Sequence, residues 1–357
     1  MGVRGIASVA ATLLIAILLV AQPAGSTSSQ TPGPVAAIVM DVRTGQVLYA
    51  REIHRRWAPA STTKILTALL AIERLSPDLT ITIGPRATAQ RSGSSIGLET
   101  GERWRIEDLL LAMMVRSAND AAVAVAEAVG GSVERFVAIM NVRAQQLGAH
   151  QSRFVTPHGL DAPGHYSTAY DLALIARHAV QNPRLASLVG RQSWTLSRDG
   201  RPPQTFTNTN RLLSRYPGAD GVKTGWTTAS GESLVASATR DDWQLIAVVL
   251  HSRDLYRDVE QLLDYGFYGF LPLRVAERGE TVATVPVGSR RTPLPAVVPA
   301  DVNAVVRKGV EVTSVVRVRR DLRPPIRAGA PVGIVEFRSG EHVVARSVLV
   351  AGRSITR

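Results

Sequence analysis

The sequence predicts an α/β chain of the α+β kind: an antiparallel sheet covered by helices, followed by a small all-β domain. Two observations carry this. Up to about Leu271, strand-like segments joined by tight turns are interspersed with long helical patterns, which suits hairpin pairing rather than parallel crossovers. Beyond it the helical pattern stops, and short Val-rich alternating segments separated by Gly, Pro and charge take over.

The elements follow in chain order. "MGVRGIASVAATLLIAILLVAQPAGSTSS" has a short positive head at Arg4, an apolar run from Val9 to Ala21, and then small and polar residues. That is the layout of a secretory signal peptide, with Ala24-Gly25-Ser26 as a tolerable cleavage site. An uncleaved N-terminal membrane anchor is the competing reading, since Gly5 to Ala24 is just long enough to span. Either way the remainder is expected to be exported, to the periplasm or extracytoplasmic envelope. Residues 1–26 are thus read as signal or anchor, and 27–34 as a polar linker.

"PVAAIVMDVRTGQVLYA" reads as two strands around a turn at Arg43-Thr44-Gly45-Gln46. A helix is expected over Ser61 to Leu75, where Ile65, Leu66, Leu69, Ile72 and Leu75 recur at helical spacing. "IEDLLLAMMVRSANDAAVAVAEAVGG" predicts a helix, a break near Ser117, and an Ala-rich helix ending at Gly130-Gly131. "TAYDLALIARHAV" predicts another, capped by Ser167 or Thr168. "ESLVASATR" and "WQLIAVVLH" read as strands joined at Asp241-Asp242, and "YRDVEQLLDYGFYGF" as a closing helix. The mixed domain is placed at 35–273 and the β-rich domain at 274–357.

Composition narrows the function classes. The chain has 357 residues, a net charge of +12 and no cysteine. Disulfides, a thiolate nucleophile and thiolate metal sites are excluded. The positive charge is spread along the chain, aromatics are few, and no stacking motif, finger or basic helix occurs, so nucleic acid is not the expected partner. An anionic envelope or wall polymer suits the charge better. The Arg317 to Arg327 cluster reads as a solvated face or a weak contact with such a polymer.

Lysine is the informative residue. Of 41 basic residues only Lys64, Lys223 and Lys308 are lysine. Arginine stays protonated, whereas a buried lysine can lose its proton. Ser61-Thr62-Thr63-Lys64 places an amine three residues after a hydroxyl, on one helix face. A serine hydroxyl is a poor nucleophile until a neighbouring base takes its proton. A lysine doing so near neutral pH must have its pKa lowered by about 3 from about 10.4, or about 4 kcal/mol. The plainer reading makes Ser61 a helix cap and Lys64 a surface residue. Ser117-Ala118-Asn119, at a helix break, can aim a hydroxyl and a carboxamide into one cleft. Lys223-Thr224-Gly225, where a strand is expected, offers a cation and a hydroxyl to a carboxylate, with Gly225 permitting close approach.

Each triplet alone is weak. In this order, and holding two of three lysines, they form the S-x-x-K, S-x-N, K-T-G set shared by class A β-lactamases and penicillin-binding proteins. The surrounding blocks resemble one subgroup more closely: the low-molecular-mass penicillin-binding proteins of peptidase family S11, serine-type D-alanyl-D-alanine carboxypeptidases of the bacterial envelope. "AAIVMDVRTGQVLYAREIHRRWAPASTTKILTALLAIE", "MMVRSANDAAVAVAE", "TPHGLDAPGHYSTAYDLALIARHA", "NTNRLL", "PGADGVKTGWTTASGESLVASATR" and "QLLDYGF" carry the resemblance, from about Val35 to Phe267.

The resemblance implies a serine DD-peptidase/β-lactamase-like fold and a peptidoglycan hydrolase without cofactor or metal. Its substrates would be stem peptides ending in D-Ala-D-Ala, and β-lactams would be covalent inhibitors. Ser61 would be the nucleophile, Lys64 its base, and Ser117 the relay to the leaving D-alanine. Asn119 would hold the substrate backbone, and Lys223, Thr224 and Gly225 would line the carboxylate side. The N–H groups of Ser61 and Trp226 would form the oxyanion hole.

Some features depart from this pattern or compete with it. Arg253 and Arg257 both lie near the position where some members hold the substrate carboxylate. The terminal "ARSVLVAGRSITR" is strand-like and too short for the amphipathic anchor of many members, so membrane attachment is expected only through the N-terminus. His158, His165 and Asp171 invite a Ser-His-Asp reading, but Ser-Lys chemistry needs no histidine. "HGLDAPGH" is too thin for a metal site. A β-lactamase needs a glutamate to activate water, and none lies between Glu134 and Glu232. A DD-endopeptidase acting on cross-links, or a non-catalytic wall-binding protein of the same fold, are the remaining alternatives.

Overall fold

The computed structural model describes residues 10–11 and 34–356, apart from 199, 289, 290 and 320. The expected signal segment and linker lie outside the described residues, save Ala10, Ala11 and Pro34. The chain divides into two compact units, one of them Gln30–Gly266 and the other containing Phe267–Arg357.

The first unit opens with the expected hairpin, β1 (Ala36–Asp41) and β2 (Val47–Arg51). The Asp41 carboxylate stabilises the turn by accepting from the Thr44 N–H (2.6 Å) and hydroxyl (2.5 Å). Gly45 completes it at φ 75°, a conformation that costs glycine little. After helix α1 (Lys64–Arg74) come α2 (Ile106–Val115), α3 (Asn119–Gly130), α4 (Val133–Gln146) and α5 (Ala169–Val180). Gly131 ends α3 at φ 73°. Thr168, one of the two expected caps, accepts from the Asp171 N–H to start α5.

Strands β3 (Ala219–Gly225), β4 (Glu232–Arg240) and β5 (Trp243–Ser252) complete a sheet in the order β2-β1-β5-β4-β3, antiparallel throughout. Asp241 and Asp242 form the β4–β5 turn, both at positive φ. Both sheet faces are covered, so β1 is buried along its whole length rather than alternating. Ile38, Met40, Ile246 and Val248 pack into the main core with α1 to α5. On the other face α6 (Leu255–Gly269) lies close, with Gly266 against Leu245 and Val39.

The second unit is all β. It contains β6 (Phe270–Ala276), β7 (Thr281–Val287), β8 (Thr292–Val297), β9 (Val302–Arg307), β10 (Val312–Val318), β11 (Pro331–Ser339) and β12 (His342–Ala351). β6 pairs with β9; the others run β10-β11-β12-β8-β7, with Ala10–Ala11 beside β10. Its core includes Val335, Phe337, Leu349, Leu294 and Val306. The unit begins at Phe267, ahead of the expected 273/274 junction, because β6 pairs with β9 rather than with the first sheet.

Among the described residues no helix is long and apolar enough to cross a membrane, and no cluster of side chains could hold a metal ion.

Candidate active site

The helix expected from Ser61 starts differently. Ala60–Thr63 form a 3₁₀ turn, and α1 proper begins at Lys64. In a 3₁₀ turn residues i and i+3 eclipse one another, so Lys64 is brought directly over Ser61. Its Nζ lies 2.8 Å from Ser61 Oγ. Ser61 is not the cap of this turn; Pro59 occupies that position without a side-chain hydrogen bond. The hydroxyl is therefore left to Lys64.

Lys64 is fully buried, and its amine also donates to the His158 carbonyl at 2.8 Å. Burial holds its pKa well below the lysine range, and the charge of Lys223 pushes the same way, against a smaller opposing effect of Asp120. The surface-residue reading of Lys64 fails.

Two glycines let the surroundings close on this turn. A Cβ on Gly159, at φ 90°, would overlap the Ala60 carbonyl oxygen. A Cβ on Gly225 would lie 3.1 Å from both Ala60 Cβ and Pro59 O, and 3.2 Å from Thr62 Cγ2. Gly225 thus allows the edge strand β3 to pack on the Ala60–Thr63 turn.

β3 carries Lys223 and Thr224. Lys223 is buried, which lowers its pKa to about 7, and its amine donates to the Thr224 carbonyl (3.2 Å) and Thr209 Oγ1 (3.5 Å). Thr209 and Thr224 hydroxyls are 2.9 Å apart. Thr209 lies in the quoted "NTNRLL" block, but nothing in its type or spacing had marked it as a partner of Lys223. After Gly225 the chain exposes Trp226, at 64%. Asp161 fastens the turn that follows, accepting from Thr227 Oγ1 (2.7 Å) and the Ala229 N–H (3.3 Å).

Ser117 and Asn119 sit at the junction of α2 and α3, both buried. Ser117 has φ 65°, a left-handed conformation rare for a residue with a Cβ and concentrated at functional sites. Asn119 Nδ2 donates to Ser92 O at 2.8 Å, and its N–H to Ser94 O at 2.7 Å. Its Oδ1 is buried with no hydrogen-bond partner, an acceptor left open. Next to it, buried Asp120 accepts from the Ile96 (3.1 Å) and Leu98 (3.1 Å) N–H groups and so holds the adjoining loop. Arg198 holds the same loop through the carbonyls of Ile96 and Gly97. Sequence reasoning missed Asp120, although it adjoins Asn119.

The histidines are structural. His165 Nδ1 accepts from the Val155 N–H at 3.1 Å, which leaves the proton on Nε2 to donate to Thr63 Oγ1 at 3.1 Å. His158 Nδ1 accepts from the Leu160 N–H. Burial lowers their pKa values to about 4 and about 3. Asp171 instead accepts from Ser152 Oγ and the Gln151 N–H, both at 2.7 Å. No Ser-His-Asp relay exists among these groups. Arg253 and Arg257, before and within the start of α6, are both exposed.

The site thus pairs a hydroxyl with a buried amine, and sets a second buried amine beside two threonine hydroxyls. Comparison with known proteins identifies the family. A profile of the peptidase S11 family, described as D-alanyl-D-alanine carboxypeptidase, matches residues 25–254. The D-alanyl-D-alanine carboxypeptidase DacF of Bacillus subtilis is 32% identical over 95% of this chain and 92% of its own. Penicillin binding protein 5 of Haemophilus influenzae superposes with a TM-score of 0.80 at 29% identity, covering 93% of this chain and all of that one. Penicillin binding protein 6B of Escherichia coli gives 0.73 at 29% identity, over 94% and 98%. With the fold, the three motifs and these matches in agreement, the chain belongs to the D-alanyl-D-alanine carboxypeptidase family, peptidase S11.

Proposed function

We propose that this protein is a serine-type D-Ala-D-Ala carboxypeptidase that trims the terminal D-alanine from peptidoglycan stem peptides outside the cytoplasm. One observation carries the reading: the 2.8 Å approach of Ser61 Oγ to the amine of Lys64, whose pKa burial holds well below the lysine range. Lys64 takes the hydroxyl proton as Oγ attacks the carbonyl carbon of the penultimate D-alanine. The N–H groups of Ser61 and Trp226 hold the developing oxyanion, where losing one donor typically costs about 10²–10³ in rate. The C–N bond breaks, and the proton passes through Ser117 to the amine of the departing D-alanine. Water then attacks the acyl-enzyme and restores Ser61.

Lys223, Thr224 and Thr209 supply a cation and hydroxyls for the substrate's terminal carboxylate. Asn119 retains a free amide N–H for a peptide carbonyl, and its open Oδ1 suits a peptide N–H. A β-lactam acylates the same serine through its ring amide, and the opened ring stays attached. The test is D-alanine release from a peptide ending in D-Ala-D-Ala, by the parent and by Ser61→Ala. Release by the parent alone is expected; no release from a folded parent overturns the reading.

A further inference from the structure

Three of the seven large hydrophobic side chains exposed among the described residues lie together, on β11 and β12 of the second unit. They are Ile334 (42%), Val343 (37%) and Val348 (44%). Side chains alternate across these strands, and a register shift between the Phe337–Ala345 and Arg338–Val343 pairs skips Val344 and puts Val343 on the face of Arg338. Val335, Phe337 and Leu349 point inward and build the core. The opposite face carries the three aliphatics together with Arg317, Glu336, Arg338 and Arg346. The register interleaves them: Ile334 opposes both Arg317 and Val348, Arg338 opposes Val343, and Glu336 opposes Arg346.

Glu336 is nearly buried under the three arginines. Its carboxylate lies 3.0 Å from Arg346 Nε, 3.2 Å from an Arg338 amino group and 3.6 Å from an Arg317 amino group. Three cations share one anion, so the cluster keeps two positive charges. Arg338 Nε is also buried without a partner. Glu341 and His342 lie at or beside the β11–β12 turn, past the last row of the face.

We propose that this sheet face docks on the surface of an anionic phospholipid membrane. Guanidinium groups pair with lipid phosphates in a forked geometry. Three aliphatic side chains between them fit the boundary between headgroups and acyl chains. A soluble polyanion would use the arginines but not the aliphatics, whose exposure to water is unfavourable. The inference needs none of the Ser61 chemistry, so the two readings fail separately.

The cysteine-free sequence allows a direct test on the full chain. Val348→Cys is labelled with an environment-sensitive fluorophore and mixed with vesicles of phosphatidylcholine, with or without an equal part of phosphatidylglycerol. Val142→Cys, on an exposed position of α4, is the control. A blue shift with an intensity gain of about twofold or more is expected at 348 with the anionic vesicles only. Adding Arg317→Gln and Arg346→Gln removes it while D-alanine release is unchanged. No gain at 348, an equal gain with phosphatidylcholine alone, or an equal gain at 142 overturns the proposal. So does a response to soluble poly(glycerol phosphate) without one to vesicles, which assigns the face to a wall polymer.

Discussion

The positive charge of Lys223 reaches Lys64 and adds to the effect of burial in pushing its amine pKa down. One buried lysine thus adjusts the other, and β3, which carries Lys223, packs on the turn that holds Ser61.

Lys64→Arg separates charge from basicity. Arginine can reach Ser61 but cannot surrender its proton. Acylation of the folded variant by a labelled penicillin is expected to fall by about 10²–10⁴. Parental acylation in a folded Lys64→Arg protein would remove Lys64 as the base.

Lys223, with a pKa of about 7 in the unliganded protein, loses its charge as pH rises. The KM for peptides with a free terminal carboxylate should therefore climb between about pH 7 and 9. Lys223→Arg stays charged across that range, so its KM profile should be flat. Steady-state kinetics over the range decide it; a climb that persists in the arginine variant would place the titrating group elsewhere.

The carboxylate of Asp120 favours the protonated form of Lys64. In Asp120→Asn that influence goes, and the lysine pKa falls further. The acid limb of kcat/KM is predicted to move to lower pH. The Ile96 and Leu98 N–H groups share Oδ2 while the Ala121 N–H takes Oδ1, and the amide keeps only one of these acceptors, so a loss of stability of about 1–3 kcal/mol should accompany it. An unmoved acid limb would show that Asp120 serves the loop alone.

Buried His165 makes the protein acid-sensitive. Its folded pKa is about 4, against 6.5 when solvated. The unfolded chain takes the proton first, so this stability is complete above pH 6.5 and lost as pH falls towards 4. His165→Gln, able to accept from Val155 and donate to Thr63, should flatten the dependence of Tm on pH in that window. Thermal melts of the two proteins, compared across it, give the answer.

Much of this was legible in the sequence, because the informative parts are local. The S-x-x-K spacing fixes which atoms meet, and the Arg43–Gln46 and Asp241-Asp242 turns set two hairpins. Helix α4 was missed although the Ser132 cap and the spacing of Val133, Phe136, Met140 and Ala144 mark it. β6 and β9 were missed because "FLPLRVA" follows a helix without a break and "VNAVVR" is brief. The 3₁₀ start at Ala60 was invisible, since it depends on Gly159 and Gly225 pressing from distant segments. Thr209 and Asp120 escaped for the same reason: their roles arise from contacts across the fold.

The order of the sheet also governs how the site is assembled. The Ser61 turn lies early in the chain, whereas β3, which packs on it, comes late in the first unit. Without β3, Lys64 loses part of its cover and the neighbouring charge of Lys223, both of which lower its pKa. A chain that lacks β3 therefore lacks part of the packing that lowers the Lys64 pKa. The pairing of Ser61 with a buried amine of lowered pKa is thus a property of the completed fold and not of the four-residue motif alone.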